Sequence, residues 1–591
     1  VQSPFIWSQA YSLLGLTPGV SALIAASPIF TLLFLLGVMR KPAWLAGTLG
    51  LAVTLLLAIA GYGMPPLTAM SAAVYGAAFG LFPISWIIFW AIALFKVTVE
   101  SGRFEIIRDS IGRLTPYPRL QALLIAFAFG AFWEGGAGFG TPVAIAATML
   151  TGLGFSAFSA SAVCLLANTA PVPFGSIGIP IITIAGTTGL PVDKLSAAVG
   201  RFCSPVSLII PLYLIVATGG FQSLAGVWIP ALLAGVVFAS VQLMVSTHIG
   251  PQLTAILAAL SAMLGLVIYL RLHHEEDSAS LQPEDSISSA RKTQLGSRML
   301  RAERSVTDVM EEREISAITE HRGVKVLAAW LPYGLLAACV LFWGVAPVQR
   351  WLNHGTISFV WPLLNDRVMR IPPITFMPSA YHAVFTFNFF SAAETACIVA
   401  TFLAAICLGM SLSQFGRILL AAVRQLTLPI LTVSVVLAIG FLMNYCGATA
   451  TLGLAFASTG VLFPFFSSLL GFLGVFLTGS DTSSNALFGN LQFVTAGRLG
   501  LNPVLMAAAN SAGGAMVKMI SLQTIAVAAA ATGLTDKEQS KLFRFRLKHS
   551  ILLACFIGLL AIFIPMDFIY NGRLSKEKHG KTWFSWTGHN G

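Results

Sequence analysis

The sequence has little charge. Only 10% of its 591 residues are Asp, Glu, Lys or Arg, against about 25% in ordinary soluble domains. Hydrophobic residues make up 56%, and the mean hydropathy is +0.83. A soluble fold of this length has no way to hide so much apolar surface, which leaves a polytopic membrane protein. The seven cysteines, Cys164, Cys203, Cys339, Cys397, Cys407, Cys446 and Cys555, stand singly in apolar stretches. Such a set is no disulfide framework, no C-x-x-C suggests zinc, and the cysteines read as packing residues. Walker A, H-E-x-x-H and G-x-S-x-G motifs are missing. The glycine run "GGAGFG", Gly135–Gly140, has no strand before it and no βαβ unit around it. No nucleophile–base pair is recognisable, so the reading is not an enzyme, with no cofactor and no metal. The formal net charge of +11 is not a nucleic-acid signal, because the basic residues cluster between hydrophobic runs.

Those runs are what the sequence has in abundance. A crossing helix needs about 20 apolar residues. In the first half the candidates are 19–39, 43–62, 68–99, 156–189, 200–218, 222–243 and 251–270. In the second half they are 326–346, 390–411, 425–445, 503–532 and 549–571. Two more segments, 121–154 and 461–498, are apolar but interrupted by glycine and polar residues, as re-entrant hairpins are. The first run has no basic residue before it and Arg40-Lys41 after it, the reverse of a cleavable signal peptide. It reads as a retained first helix with its N-terminus outside. Arg103, Arg108, Arg113, Arg119, Arg417, Arg424 and "KEQSKLFRFRLKH" then fall inside. The tail "NGRLSKEKHGK" falls outside, against the positive-inside tendency.

Two polar interruptions match. "GAFWEGGAGFGTPVAI" from Gly130 is followed by "LLANTAPVPFGS", and "GVFLTGSDTSSNALF" from Gly474 by "AAANSAGGAMVK". Gly130 pairs with Gly474, and Asn168-Thr169 with Asn510-Ser511. The first hairpin enters from the inside and the second from the outside, so the halves are expected to be inverted copies, an architecture of secondary transporters. The expected fold is an all-α polytopic membrane protein with about 12 crossing helices plus two re-entrant hairpins, in two inverted-topology repeats broken at the midplane. The expected organisation is an extracytoplasmic segment 1–18, a first repeat 19–218 and connecting helices 219–270. A charged cytoplasmic linker 271–325, a second repeat 326–571 and a polar tail 572–591 complete it.

Broken helices offer free N–H groups to anions and free carbonyls to cations. The expected breaks are Glu134–Thr141, Asn168–Ser176, Gly479–Asn485 and Asn510–Gly514. Gly138, Asn168, Thr169, Ser480, Thr482, Ser483, Ser484, Asn485, Asn510 and Ser511 are therefore candidate ligands of a small polar anion. Taken singly, each such cluster reads rather as a close-packed helix contact, and it is their paired arrangement that favours ligands. A charge at the bilayer centre costs about 2.5–3.5 kcal/mol on insertion scales, so each intramembrane charge is a functional candidate. Glu134 and Asp481 are candidate proton carriers, since withdrawal from water favours a neutral carboxyl; the alternative is helix capping. The repeat aligns Glu134 with Thr478, so the two carboxylates need not act alike. Lys518 and Arg201 are candidates to neutralise a carboxylate, or snorkel to the headgroups. His382 and Glu394 read as loop or interfacial residues.

"FGAFWEGGAGFGTPVAI", "NTAPVPFGSIGIPI", "GVFLTGSDTSSNALF", "VKMIS" and "LFRFRLKHS" together resemble the L-lactate permease family, over residues 15 to 565. The tail, the 271–325 linker and Glu394 depart from it. The resemblance implies a cytoplasmic-membrane symporter importing lactate, and glycolate, with protons; D-lactate is a related substrate. The partners implied are the small carboxylate, protons and membrane lipid, with no nucleic acid. The residues themselves indicate only an anion transporter. A sodium-coupled carboxylate transporter and an anion channel remain as alternatives.

Overall fold

A computed structural model describes residues 6–564, apart from 14, 40, 113, 116, 137, 139–140, 273–325, 327 and 376. The expected linker, beyond its first two residues, and the polar tail lie outside the described residues, as do Arg40 and Arg113. Among those described, nine helices are long and apolar enough to cross a membrane, and three bent pairs raise the number to twelve. The protein is therefore an all-α polytopic membrane protein.

The longest helix, Leu412–Cys446, shows how local chemistry sets its ends. Ser411 and Gln414 form a capping box: the Gln414 N–H donates to Ser411 Oγ at 3.2 Å, and the Ser411 N–H to Gln414 Oε1 at 2.9 Å. The helix stops at Gly447, whose φ is +94°. A Cβ there would lie 3.0 Å from the Ala10 carbonyl, so the turn and the close approach both call for glycine. The span expected over 68–99 is helical across Pro66–Glu100 but interrupted at Phe82, with φ −133° and ψ 125° before Pro83.

One face carries a small β cap. Ile357–Val360 pairs antiparallel with Val384–Phe387, and Val368–Arg370 runs between Ser379–Ala380 and the N-terminal strand Trp7–Ser8. Gln9 Nε2 donates to the carbonyls of Asn444 and Tyr445 at 2.9 and 2.8 Å, fixing the cap onto the helices. The sequence reading had no strand here. It also had no helix at Ala448–Phe456, which precedes the second hairpin.

The same series of elements occurs twice. A leg ending in Gly130–Gly136 returns as Thr141–Gly152. Ala157–Ala167 then passes through the turn Val172–Phe174 into Gly175–Thr188, and the 28-residue helix Val192–Gly219 follows. Later, Phe463–Thr478 returns as Asp481–Leu499. Pro503–Val517 passes through the turn Lys518–Ile520 into Leu522–Thr532, and the 28-residue helix Asp536–Phe563 follows.

The two hairpins contact different parts of the chain. Thr148 on hairpin one donates to the Ala531 carbonyl at 3.4 Å, and Arg119 before it to the Ser223 carbonyl at 3.1 Å. Arg498, ending hairpin two, donates to the Pro373 carbonyl at 3.3 Å, beside the β cap.

Candidate functional site

Each break has a local cause. Gly479, with φ +71°, closes Phe463–Thr478. Ser480 then caps the next helix by accepting from the Ser483 N–H at 3.3 Å. Asp481–Asn485 is therefore the first turn of a helix, not the open tip that the sequence suggested. Asp481 stands at the positive end of that helix. In hairpin one the chain turns at Gly138, φ +60°. In the first broken helix Ser176, Ile177 and Gly178 are consecutively left-handed, with φ 47°, 60° and 77°.

The second broken helix departs from expectation. Asn510–Gly514 stays helical, and the break falls at Lys518–Ile520. Gly513 and Gly514 serve packing: a Cβ on Gly514 would lie 2.6 Å from Asp481 Oδ1 and 2.8 Å from Val475. Ser521 starts the next segment by accepting from the Thr524 N–H at 3.3 Å. Arg201 departs too, because its crossing begins at Val192, placing it in the third turn.

The breaks surround a cavity of 1150 Å³. Its inner wall holds Glu134, Ser176, Asp481, Thr482, Ser483 and Lys518, and exposed Lys41, Gln425 and Arg544 mark its open end. Gln425 at that end and Asn444 at the β cap stand 19 residues apart on the same helix, Leu412–Cys446.

Lys518 Nζ donates to Glu134 Oε1 at 2.9 Å, with the two side chains only 11% and 2% exposed. The pair joins residues from the two halves of the chain. Glu134 lies against Gly175, where a Cβ would sit 2.8 Å from its Oε1. Its other oxygen has no partner among the described residues, and neither has Asp481 Oδ1.

Behind Asp481 runs a buried polar relay. Ser511 Oγ donates to Asp481 Oδ2 at 2.7 Å. Asn485 Nδ2 donates to Ser511 Oγ and to the Pro180 carbonyl, each at 3.0 Å. Asn510 Nδ2 donates to Asn485 Oδ1 at 2.9 Å, and Gln492 Nε2 to Asn510 Oδ1 at 3.0 Å. Each member fixes the orientation of the next, and the chain holds Asp481 in place.

The sequence candidates therefore fall into three groups. Glu134, Ser480, Asp481, Thr482, Ser483 and Lys518 line the cavity. Ser484, Asn485, Asn510 and Ser511 lie behind it, Ser484 donating to the Gly471 carbonyl at 3.1 Å. Gly138, Asn168, Thr169 and Arg201 are not on its wall. Thr169 Oγ1 donates to the Leu166 carbonyl at 2.7 Å, and Asn168 is buried without a side-chain partner among the described residues. His382 is exposed in the cap, 2.6 Å from Asp366. Glu394 is buried in the first turn of Ala393–Cys407 instead of lying in a loop.

The sequence reading missed Gln492 and the cavity mouth. Gln492 stands seven residues after Asn485, hence on the same helix face; that spacing was the available signal. Arg546 was also missed. It is wholly buried, and its guanidinium nitrogens have no hydrogen-bond partner among the described residues.

Comparison with known proteins supplies the family. The profile described as L-lactate permease matches residues 21–566. The chain is 41% identical over 575 residues to the L-lactate permease of Bacillus subtilis, covering 94% of this chain and 98% of that one. It is 39% identical over 574 residues to the glycolate permease GlcA of Escherichia coli, covering 96% and 99%. It is 40% identical over 565 residues to the L-lactate permease of Escherichia coli, covering 94% and 97%. All four breaks and both cavity carboxylates lie inside these matches, and the chain belongs to the L-lactate permease family.

Proposed function

We propose that the protein is a secondary transporter that takes up L-lactate, glycolate and D-lactate across the cytoplasmic membrane together with protons. The observation that carries this reading is the cluster of Glu134, Lys518 and Asp481 where the two sets of breaks meet. A buried ammonium suits a small carboxylate. The hydroxyls of Ser480, Thr482 and Ser483, at a helix N-terminus, suit the substrate's other oxygens. Membership of a family whose relatives are named for lactate and glycolate supports the substrate class.

Residues 19–218 and 326–571 act as two inverted repeats, and access alternates as one moves against the other. The basic residues around the cavity mouth, Lys41 and Arg544, mark the cytoplasmic side by the positive-inside tendency. The N-terminus and the β cap are then outside, and the conformation is inward-open. Glu134 and Asp481 are the proton-handling groups.

Counterflow tests the substrate reading. Liposomes holding purified protein and unlabelled L-lactate are expected to take up labelled L-lactate, with external glycolate and D-lactate competing. Uptake no faster than in protein-free liposomes would overturn it.

A further inference from the structure

The two cavity carboxylates are held differently. Asp481 ends the relay on Ser511 and makes no ion pair among the described residues. Glu134 spends one oxygen on Lys518, and the other has no partner among the described residues. The same ammonium cannot make a full ion pair with Glu134 and with a substrate carboxylate at once.

The other charges around Glu134 lie on the cavity wall and on the helices packed against its own segment. The charged groups on the cavity wall are Lys41, Asp481, Lys518 and Arg544. Among the elements packed on Gly130–Gly136, the titratable groups are Cys164, and Tyr269 and Arg271 at the far end of Thr254–Leu272, whose first turn meets Gly135. Trp86–Glu100 and Arg103–Gly112 reach the same segment through Phe95 and Phe104 on Trp133, and they carry Lys96, Glu100, Arg103, Glu105, Arg108 and Asp109. Tyr333 stands against Gly136 and Trp133.

We propose that Glu134 and the substrate carboxylate occupy Lys518 alternately, and that protonation of Glu134 is the event that hands Lys518 to the substrate. This deepens the proton-coupled reading and rests on it. A proton from water adds to the Glu134 carboxylate. The ammonium keeps its own protons, and its ion pair passes to the incoming anion.

The charges then explain obligatory coupling. With Glu134 ionised and no substrate, the pair carries no net charge. With Glu134 protonated and lactate bound, the site is again neutral. The two mismatched states each bury one uncompensated charge, and these are the states that reorientation disfavours. One proton accompanies one monocarboxylate, and Asp481 keeps the same partner throughout.

The test is lactate binding to the purified full-length protein across pH 5.5 to 8.5. Wild type is expected to lose about tenfold in affinity per pH unit on the alkaline limb, the linkage of one proton. In Glu134→Gln that slope should flatten, with affinities at the two pH extremes within about threefold. Glu134→Gln keeping the wild-type slope, or Asp481→Asn abolishing it instead, would overturn the proposal.

Should Glu134→Gln not fold, Gly175→Ala serves. Its methyl would crowd Glu134 Oε1 at 2.8 Å and weaken the hold on Lys518. The alkaline limb should then move upward in pH, and an unmoved limb would overturn the proposal. A wild type that accumulates lactate under a pH gradient while Glu134→Gln keeps its slope removes only the exchange. A wild type that binds no lactate at any pH removes the transport reading itself.

Discussion

Replacing Lys518 with methionine keeps the length of the side chain and deletes its charge. At 2.9 Å, two unit charges attract by about 6 kcal/mol at an effective dielectric of about 20. Desolvation consumes part of that. Exposures of 11% and 2% put the pair among buried ion pairs, not surface ones worth about 0–1 kcal/mol. Removing one partner of a buried pair costs about 3–5 kcal/mol, whereas replacing both by neutral groups is often close to neutral. The cavity admits water, so Lys518→Met should cost about 3 kcal/mol, the lower end. Glu134→Gln should cost less, about 1–2 kcal/mol, because the ammonium has a flexible stem and reaches the water of the cavity. The double variant should fall within about 1 kcal/mol of wild type. Reversible unfolding in mixed detergent micelles measures all four proteins. A coupling energy of at least about 2 kcal/mol is expected, and additivity within about 0.5 kcal/mol would refute the pair as drawn.

Two further outcomes follow from the packing. Asn485→Ala removes bonds to Ser511, Asn510 and the Pro180 carbonyl; it should cost about 2–4 kcal/mol in the same unfolding assay, and a loss below about 1 kcal/mol would contradict the relay's structural role. A Cβ on Gly471 would run into the backbone of Asn510, whereas one on Gly416 meets nothing within 4 Å. Gly471→Ala should therefore fail to accumulate in the membrane while Gly416→Ala accumulates normally, as quantified by immunoblot of membrane fractions.

Charges inside an apolar sequence are costly and therefore few, which is why Glu134, Asp481 and Lys518 stand out from the sequence alone. Gly479 and the glycines after Glu134 are legible as interruptions for a related reason, since a membrane helix tolerates such runs only at special places. What the sequence does not show is long-range pairing. Nothing local to Glu134 announces that its partner lies 384 residues on. Gly513 and Gly514 mislead because a glycine pair means either a break or a close packing surface. Only the neighbours Ser468, Asp481 and Val475 decide between them. Asp481–Asn485 misleads because the hydroxyls and amides of a loop also suit a helix's first turn. The β cap stays hidden because "ISFV" and "VFTF" lack the polar alternation that marks a half-exposed strand.

The most direct test of proton-coupled uptake is the steady-state accumulation of labelled L-lactate in liposomes under imposed pH gradients. One-to-one electroneutral symport predicts an inside-to-outside ratio rising about tenfold per pH unit of inward gradient, unchanged when the membrane potential is clamped or sodium is omitted. Accumulation that follows a sodium gradient at equal pH, or a ratio that stays at unity under every pH gradient, would contradict it.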